Sequence, residues 1–293
     1  MARRNLGREV SRAWCSRSAA AVALVSLASC APAPPKASAV TVLSGEITLH
    51  EFVGWTHAWA VFLDPGVPVA SVRDTEILSL PPTPSTHVGA CEIWHRPTCN
   101  DCRDGTFCQA DGVCTAYPVR SYADVGPIDV SGGHGPMTMS FAPRSQLYES
   151  TPPPGPAYLF DGGESLEVAF QDQRVTLAAP QFLSLQSPSL TPFRIPAQGD
   201  LSFAWSAGDA ELIEIFVDAS SSVDYMQATS LRCLGNDGGT FTIPAAVLAE
   251  LPPPPRTTHL EVTRNVDRIV PLGGDRGVLI HAGFTVAADG ADQ

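Results

Sequence analysis

Proline and glycine set the limits on what this chain can fold into. Twenty-seven prolines and 24 glycines are spread over 293 residues. Each proline removes a backbone donor and each interior glycine weakens a helix, so long uninterrupted helices are excluded. The stretches between them read as strands. In Glu46-Ile47-Thr48-Leu49-His50, Ile47 and Leu49 fall on one face. Trp59, Val61 and Leu63 alternate with Ala58, Ala60 and Phe62. Both series are apolar, which predicts a strand buried on both sides. Further short strands are expected at 128–130, 137–141, 165–170, 174–177, 201–205, 212–217, 230–234, 259–263, 278–281 and 284–286. Turn signals separate them, among them Asp64-Pro65-Gly66, Asp161-Gly162-Gly163, Asn236-Asp237-Gly238-Gly239 and Gly273-Gly274-Asp275. Residues 79–86 and 151–156, both proline-rich, read as loops. One helix is expected, at 244–251, opened by a proline and stopped by four. Many short strands with such turns predict an all-β chain with a β-sandwich-like body. Hydrophobic residues make up 44% of the chain and charged ones 16%, which excludes wholesale disorder.

The N-terminus has a different pattern. Arg3, Arg4, Arg8, Arg12 and Arg17 precede the apolar run from Ala19 to Ala28. Ten residues are too few for a helix to cross about 30 Å of hydrocarbon, but they match the core of a signal peptide. Leu27-Ala28-Ser29-Cys30 then resembles the lipobox of bacterial lipoproteins. The resemblance implies cleavage before Cys30, a diacylglycerol on its thiol and an acylated new N-terminus. Two or three acyl chains anchor stably where one does not. By resemblance to enterobacterial sorting, Ala31 rather than aspartate after the cysteine favours the outer membrane. Removing residues 1–29 leaves 264 residues with 13 basic and 29 acidic side chains, a net charge of −16. The single lysine, Lys36, lies in the proline- and alanine-rich tether 30–40. A body this acidic repels nucleic acid and anionic headgroups, so the lipid is the expected membrane contact.

Six cysteines remain after the lipobox: Cys91, Cys99, Cys102, Cys108, Cys114 and Cys233. An even set in an exported chain predicts three disulfides. The run from Cys99 to Cys114 is too short to form its own core, so cross-links must define it. A zinc site using Cys99, Cys102 and two of Cys108, Cys114 or His95 competes with this reading, but oxidation of the thiols outside the inner membrane disfavours it. Six cysteines allow many pairings. If 99–108 and 102–114 form within the run, Cys91 is left for Cys233. The chain then divides into a signal peptide (1–29), a lipidated tether (30–40), N-terminal strands (41–90), a small disulfide-rich insert (91–117) and a sandwich-like region (118–293).

Several motifs together resemble those of uncharacterised lipoproteins common in myxobacteria. They are Gly89-Ala90-Cys91-Glu92-Ile93, the Cys99–Cys114 run with Gly105 and Gly112, and Gly126-Pro127-Ile128-Asp129-Val130-Ser131-Gly132-Gly133. Leu201-Ser202-Phe203-Ala204-Trp205 and Leu231-Arg232-Cys233, followed by Gly239-Thr240-Phe241-Thr242-Ile243-Pro244, complete the set. The resemblance implies a β-sandwich and brings no activity and no catalytic residues with it.

Catalytic motifs are absent from the sequence. There is no Gly-x-Ser-x-Gly elbow, phosphate loop, dinucleotide fingerprint or His-Glu-x-x-His helix. No catalytic residue, metal ligand set or cofactor is therefore assigned. His134, in Gly-Gly-His-Gly-Pro, is placed to present an imidazole from a loop, though a plain surface turn explains it as well. His50 and His57 would suit a shared metal, although one strand and one loop residue is the simpler assignment. Asp161, Asp237 and Asp275 lie in turns that resemble calcium loops but lack their ligand density. Phe52, Trp55, Trp59 and Phe62 cluster in sequence; Trp55 and Trp59 are the candidate ligand-binding aromatics if they are exposed. The expected function is that of a cell-envelope lipoprotein acting as a non-enzymatic binding or structural module. A secreted hydrolase and a carbohydrate-binding module are the alternatives.

Overall fold

Alternation of apolar and polar residues builds nearly every element of the structure. The computed structural model describes residues 42–52, 55–62, 85–96, 99, 102, 106–108, 112–116, 122–145, 147–150, 159–222, 228–273 and 276–292. The expected signal segment and tether with Cys30, and also Leu63, the expected Asp64 turn, the 151–156 segment and Asp275, lie outside the described residues. In chain order the elements are β1 (Val42–Phe52), β2 (Trp55–Phe62), β3 (Ser85–Val88), β4 (Cys91–His95), β5 (Thr106–Cys108), β6 (Cys114–Ala116), β7 (Ile128–Ser131), β8 (Met137–Ala142), β9 (Leu147–Ser150), β10 (Ser165–Phe170), β11 (Gln173–Ala178) and β12 (Leu185–Ser187). They continue with β13 (Leu201–Trp205), β14 (Leu212–Ser221), β15 (Ala228–Gly235), β16 (Thr240–Ile243), α1 (Ala245–Leu248), β17 (Arg256–Gly273) and β18 (Arg276–Asp292).

The body is all-β. One large sheet runs β11-β10-β7-β8-β9-β2-β1-β18-β17-β14-β15-β4-β3. Residues 39–293 form one unit, and β11 returns against β17, so the sheet curls around a first core. Ile47, Leu49, Ile128, Val130, Met139, Leu166, Val168, Phe170 and Ile280 fill that core. A small sheet, β12-β13-β16, packs with α1 across β14, β15 and the far ends of β17 and β18. This second layer encloses a sandwich-like second core that includes Phe203, Trp205, Ile215, Val217, Leu231 and Val262. β14 shows why such strands form. Ile213, Ile215, Val217 and Ala219 point inward while Leu212, Glu214, Phe216 and Asp218 point away, the period of two that a half-buried strand requires.

The two-sided burial expected near Trp59 is present: Ala58, Ala60 and Phe62 enter the first core and Val61 is buried on the other face. The helix forms where expected but covers four residues, Ala245–Leu248. The last two strands are far longer than their sequence punctuation predicts. The segments read as 278–281 and 284–286 are one strand, β18, which passes straight through Gly283. The 79–86 segment, read as a loop, already enters β3 at Ser85.

Three disulfides cross-link the chain. Cys91–Cys233 joins directly opposed residues of β4 and β15, with both cysteines buried in the second core. Cys99–Cys108 and Cys102–Cys114 tie the preceding loop to the β5–β6 ribbon. The thiols are therefore engaged in disulfides, and the zinc reading of this run does not hold.

Candidate functional site

Two polar clusters stand out. The first lies on the sheet face turned away from both cores. Period-two alternation puts Glu46, Thr48, His50 and Phe52 of β1 on that face because Ile47 and Leu49 take the core. β1 pairs with β18 in parallel, so Thr48 lies level with His281, His50 with Gly283 and Phe52 with Thr285. β17 continues the same rows with Asp267, Asn265 and Thr263. On the other side, β2 sets His57 directly opposite His50 and Trp59 opposite Thr48. His57 is thus a strand residue, not the loop residue that its sequence context favours. By register, His50, His57, His87, His259 and His281 all belong to this face.

The cluster is closely linked. The His50 ring stacks on Phe52 and lies edge-on to His281, with ring centroids 5.9 Å apart. Nε2 of His50 contacts the Thr285 hydroxyl, which is 2.7 Å from that of Thr263. Nδ1 of His281 lies 2.7 Å from Oδ1 of Asp267. Glu46, Thr48, Thr263, Asn265 and Thr285 are all buried. Further along the face, Arg232 and Glu214 form a two-pronged ion pair at 2.6 and 2.8 Å. His259 sits between Asp289 at 2.8 Å and Glu261 at 3.0 Å. Burial opposes its charge, but the two carboxylates outweigh burial and raise its pKa.

The second cluster lies at the rim of the first core, and there the structure joins two residues singled out in the sequence. Nε2 of His134 in the β7–β8 turn is 2.8 Å from Oδ1 of Asp161. The turn is fixed by a backbone bond from His134 N to the Leu159 carbonyl at 3.0 Å. Gly133 adopts φ +52°, and a Cβ there would fall 2.2 Å from that same carbonyl, so a side chain has no room. Glu164 accepts the backbone N–H groups of Asp161 and Gly162 and completes a His134–Asp161–Glu164 group. Beside it lies Glu51, fully buried and not singled out in the sequence. Its carboxyl accepts Thr56 Oγ1 at 2.7 Å and the backbone N–H groups of Leu159 and Phe160. Burial nonetheless pushes Glu51 up to about 7, against these donors and the nearby His134.

The remaining sequence candidates separate. Trp59 is half-buried on the outer face, while Phe62 lies inside the first core, so the aromatic run splits between two faces. Trp55 lies opposite Phe52 in register, and its side chain is outside the described residues. Asp237 is not a surface turn residue. Its buried carboxylate is 2.8 Å from Nε of buried Arg264 and accepts Trp205 Nε1 at 2.8 Å. Arg264 also donates to the carbonyls of Gln181, Phe182 and Ser206, drawing two more loops onto β17. Chemically, the second cluster offers fixed carboxyls with a neighbouring imidazole, and the first offers imidazoles backed by oxygen acceptors. No protein-family model matches the chain, and no curated protein matches it either.

Proposed function

We propose that this chain is a lipid-anchored protein of the cell envelope, with an all-β body that acts as a non-enzymatic binding or structural module. The observation that carries this reading is the state of the thiols. All six cysteines downstream of Leu27-Ala28-Ser29-Cys30 are paired as disulfides. Disulfides persist in oxidising, extracytoplasmic compartments and are rare in the cytosol. The basic and apolar N-terminal segment supplies the export signal. Cys30 supplies the attachment point for acyl chains, which an acidic body needs if it is to stay at a membrane. By resemblance to enterobacterial sorting, the alanine after Cys30 favours the outer membrane.

Glu51 supports the non-enzymatic reading over the hydrolase. Its pKa would suit a general acid, but its carboxyl is closed off by Thr56 and two backbone N–H groups inside the rim of the core. That is the arrangement of a structural carboxyl. The test is membrane fractionation of wild type and Cys30→Ser, with mass spectrometry of the mature N-terminus. The wild type is expected to start at an acylated Cys30 and sediment with membranes, and the variant to be released while keeping its disulfides. Continued co-sedimentation of the variant, or an unprocessed N-terminus in wild type, would overturn the proposal.

A further inference from the structure

We propose that the outer sheet face around Gly283 binds a single borderline transition-metal cation of the Zn²⁺ or Cu²⁺ type, with His50, His281 and the side-chain oxygen of Asn265 as donors.

Gly283 opens the site. It lies level with His50 on β1 and with Asn265 on β17, and it has no side chain to separate them. A Cβ placed there would be 3.0 Å from Oδ1 of Asn265 and 3.1 Å from Nε2 of His50. An oxygen and an imidazole nitrogen therefore rim one small space. His281 flanks it from the adjoining row, with its ring centroid 5.9 Å from that of His50. Two imidazoles on one tetrahedral metal, with bonds of about 2.0–2.1 Å, place their centroids roughly 5–6 Å apart.

The surroundings fit a cation. Asn265 is 2% exposed, and its Oδ1 is a buried acceptor with no hydrogen-bond partner. A side-chain carbonyl oxygen needs a donor or a cation, and buried acceptors are seldom left without either. Asp267 lies 2.7 Å from Nδ1 of His281, where its carboxylate accepts a hydrogen bond from Nδ1–H; in that neutral tautomer Nε2 carries the electron pair and the ring is held in place. This carboxylate–histidine arrangement orients metal ligands and raises their basicity. The Thr285 hydroxyl, which meets Nε2 of His50, has Thr263 as a second partner at 2.7 Å and can turn to it when Nε2 takes a cation. Nitrogen donors with one neutral oxygen select zinc or copper over calcium or magnesium, which prefer oxygen ligands.

The experiment uses the full-length protein in detergent, with disulfides intact and metal removed by chelator. Zn²⁺ is titrated by calorimetry, and Cu²⁺ is followed by electron paramagnetic resonance. Wild type is expected to bind one equivalent at micromolar or lower concentration, with Cu²⁺ showing coupling to at least two nitrogens. His50→Ala and His281→Ala should each weaken binding at least thirtyfold. Asn265→Asp, which keeps the oxygen and adds charge, should tighten it. His134→Ala, which removes a separate histidine–carboxylate cluster at the rim of the first core, should leave it unchanged. No wild-type binding at 100 μM, about the weakest affinity worth calling a site, would overturn the proposal. So would full binding in the His50 and His281 variants, or a copper spectrum without nitrogen coupling. If a histidine variant misfolds, the wild-type spectrum and the Asn265→Asp comparison decide the matter.

Discussion

Replacing Glu51 by glutamine should stabilise the protein at alkaline pH and not at acid pH. The carboxyl is fully buried, and its pKa rises from 4.5 to about 7 on folding. Desolvation is the leading cause and exceeds the help from Thr56, Leu159, Phe160 and His134. Below about pH 4.5 the group is protonated in both folded and unfolded chains and does not make stability depend on pH. Between about 4.5 and 7 the folded chain binds the extra proton, so stability falls as pH rises, and the loss is complete above the folded pKa. At about 1.4 kcal/mol for each pKa unit, ionised Glu51 costs roughly 3 kcal/mol at pH 8. Glutamine keeps an oxygen for the two backbone donors. Its amide can donate to Thr56, whose hydroxyl turns from donor to acceptor. The variant should thus match wild type at pH 4 and exceed it by about 3 kcal/mol at pH 8, roughly 6–10 °C in Tm for a domain of this size. Urea and thermal denaturation of both proteins across pH 4–8.5, with disulfides intact, measures the gap directly. A gap that stays constant with pH, or a variant less stable at pH 8 than wild type, would refute the reasoning. It would mean that the donors around Glu51 outweigh its desolvation.

Two further outcomes follow from buried contacts. Arg264→Met leaves the Asp237 carboxylate buried beside Trp205 without its cation and should cost about 3–5 kcal/mol; adding Asp237→Asn should recover part of that loss, and strictly additive losses in denaturant titrations would show that the two residues do not act as a pair. Replacing Cys91 and Cys233 together by serine removes a link between residues 142 positions apart and should cost about 5 kcal/mol on the chain-entropy model, whereas serines at Cys99 and Cys108, which close a loop of nine, should cost less. Chemical denaturation of the two variants ranks the bridges, and equal losses would contradict the loop-length argument.

The parts of the fold that were legible in the sequence are those in which one strand reports on itself. Alternation marked β10, β13 and β14 because each has a dry face and a polar face within five to ten residues. The Cys99–Cys114 run marked its own cross-links because so short a piece has little else to hold it. Gly283 reads as a strand break although β18 runs through it, because a glycine inside a strand and a glycine ending one look alike until the neighbouring strands are known. Here its role is lateral: it lets His50 and Asn265 approach across it. The outer-face cluster was hidden for the same reason. His50 and His57 were visible as a pair. The proximity of His50 to His281 depends on the parallel pairing of β1 and β18, a contact over 200 residues apart that no local pattern encodes. Asp237 resembled a turn residue, and only its distant partner Arg264 turns it into a core ion pair.

The least legible feature is also what lets one sheet serve two cores. β17 and β18 carry apolar inward residues on both sides of a single row, which reads Thr56, Glu51, Phe284 and Arg264 across β2, β1, β18 and β17. Leu49, Ala282 and Val266 on one side belong to the first core; Val286 and Val262 on the other belong to the second. Loops that cross this divide bring backbone groups into the interior, and those groups need partners. Glu51 receives the N–H groups of Leu159 and Phe160, and Arg264 supplies donors to the carbonyls of Gln181, Phe182 and Ser206. The acidic and basic residues therefore serve loops of opposite need, and neither could exchange places with the other. A leucine at either position would continue the apolar stripe and leave those loop groups buried without partners, at about 1–3 kcal/mol each. This row accounts for the break in the apolar inward face of the hairpin between Val262 and Val266, and for a large sheet that divides its interior in two.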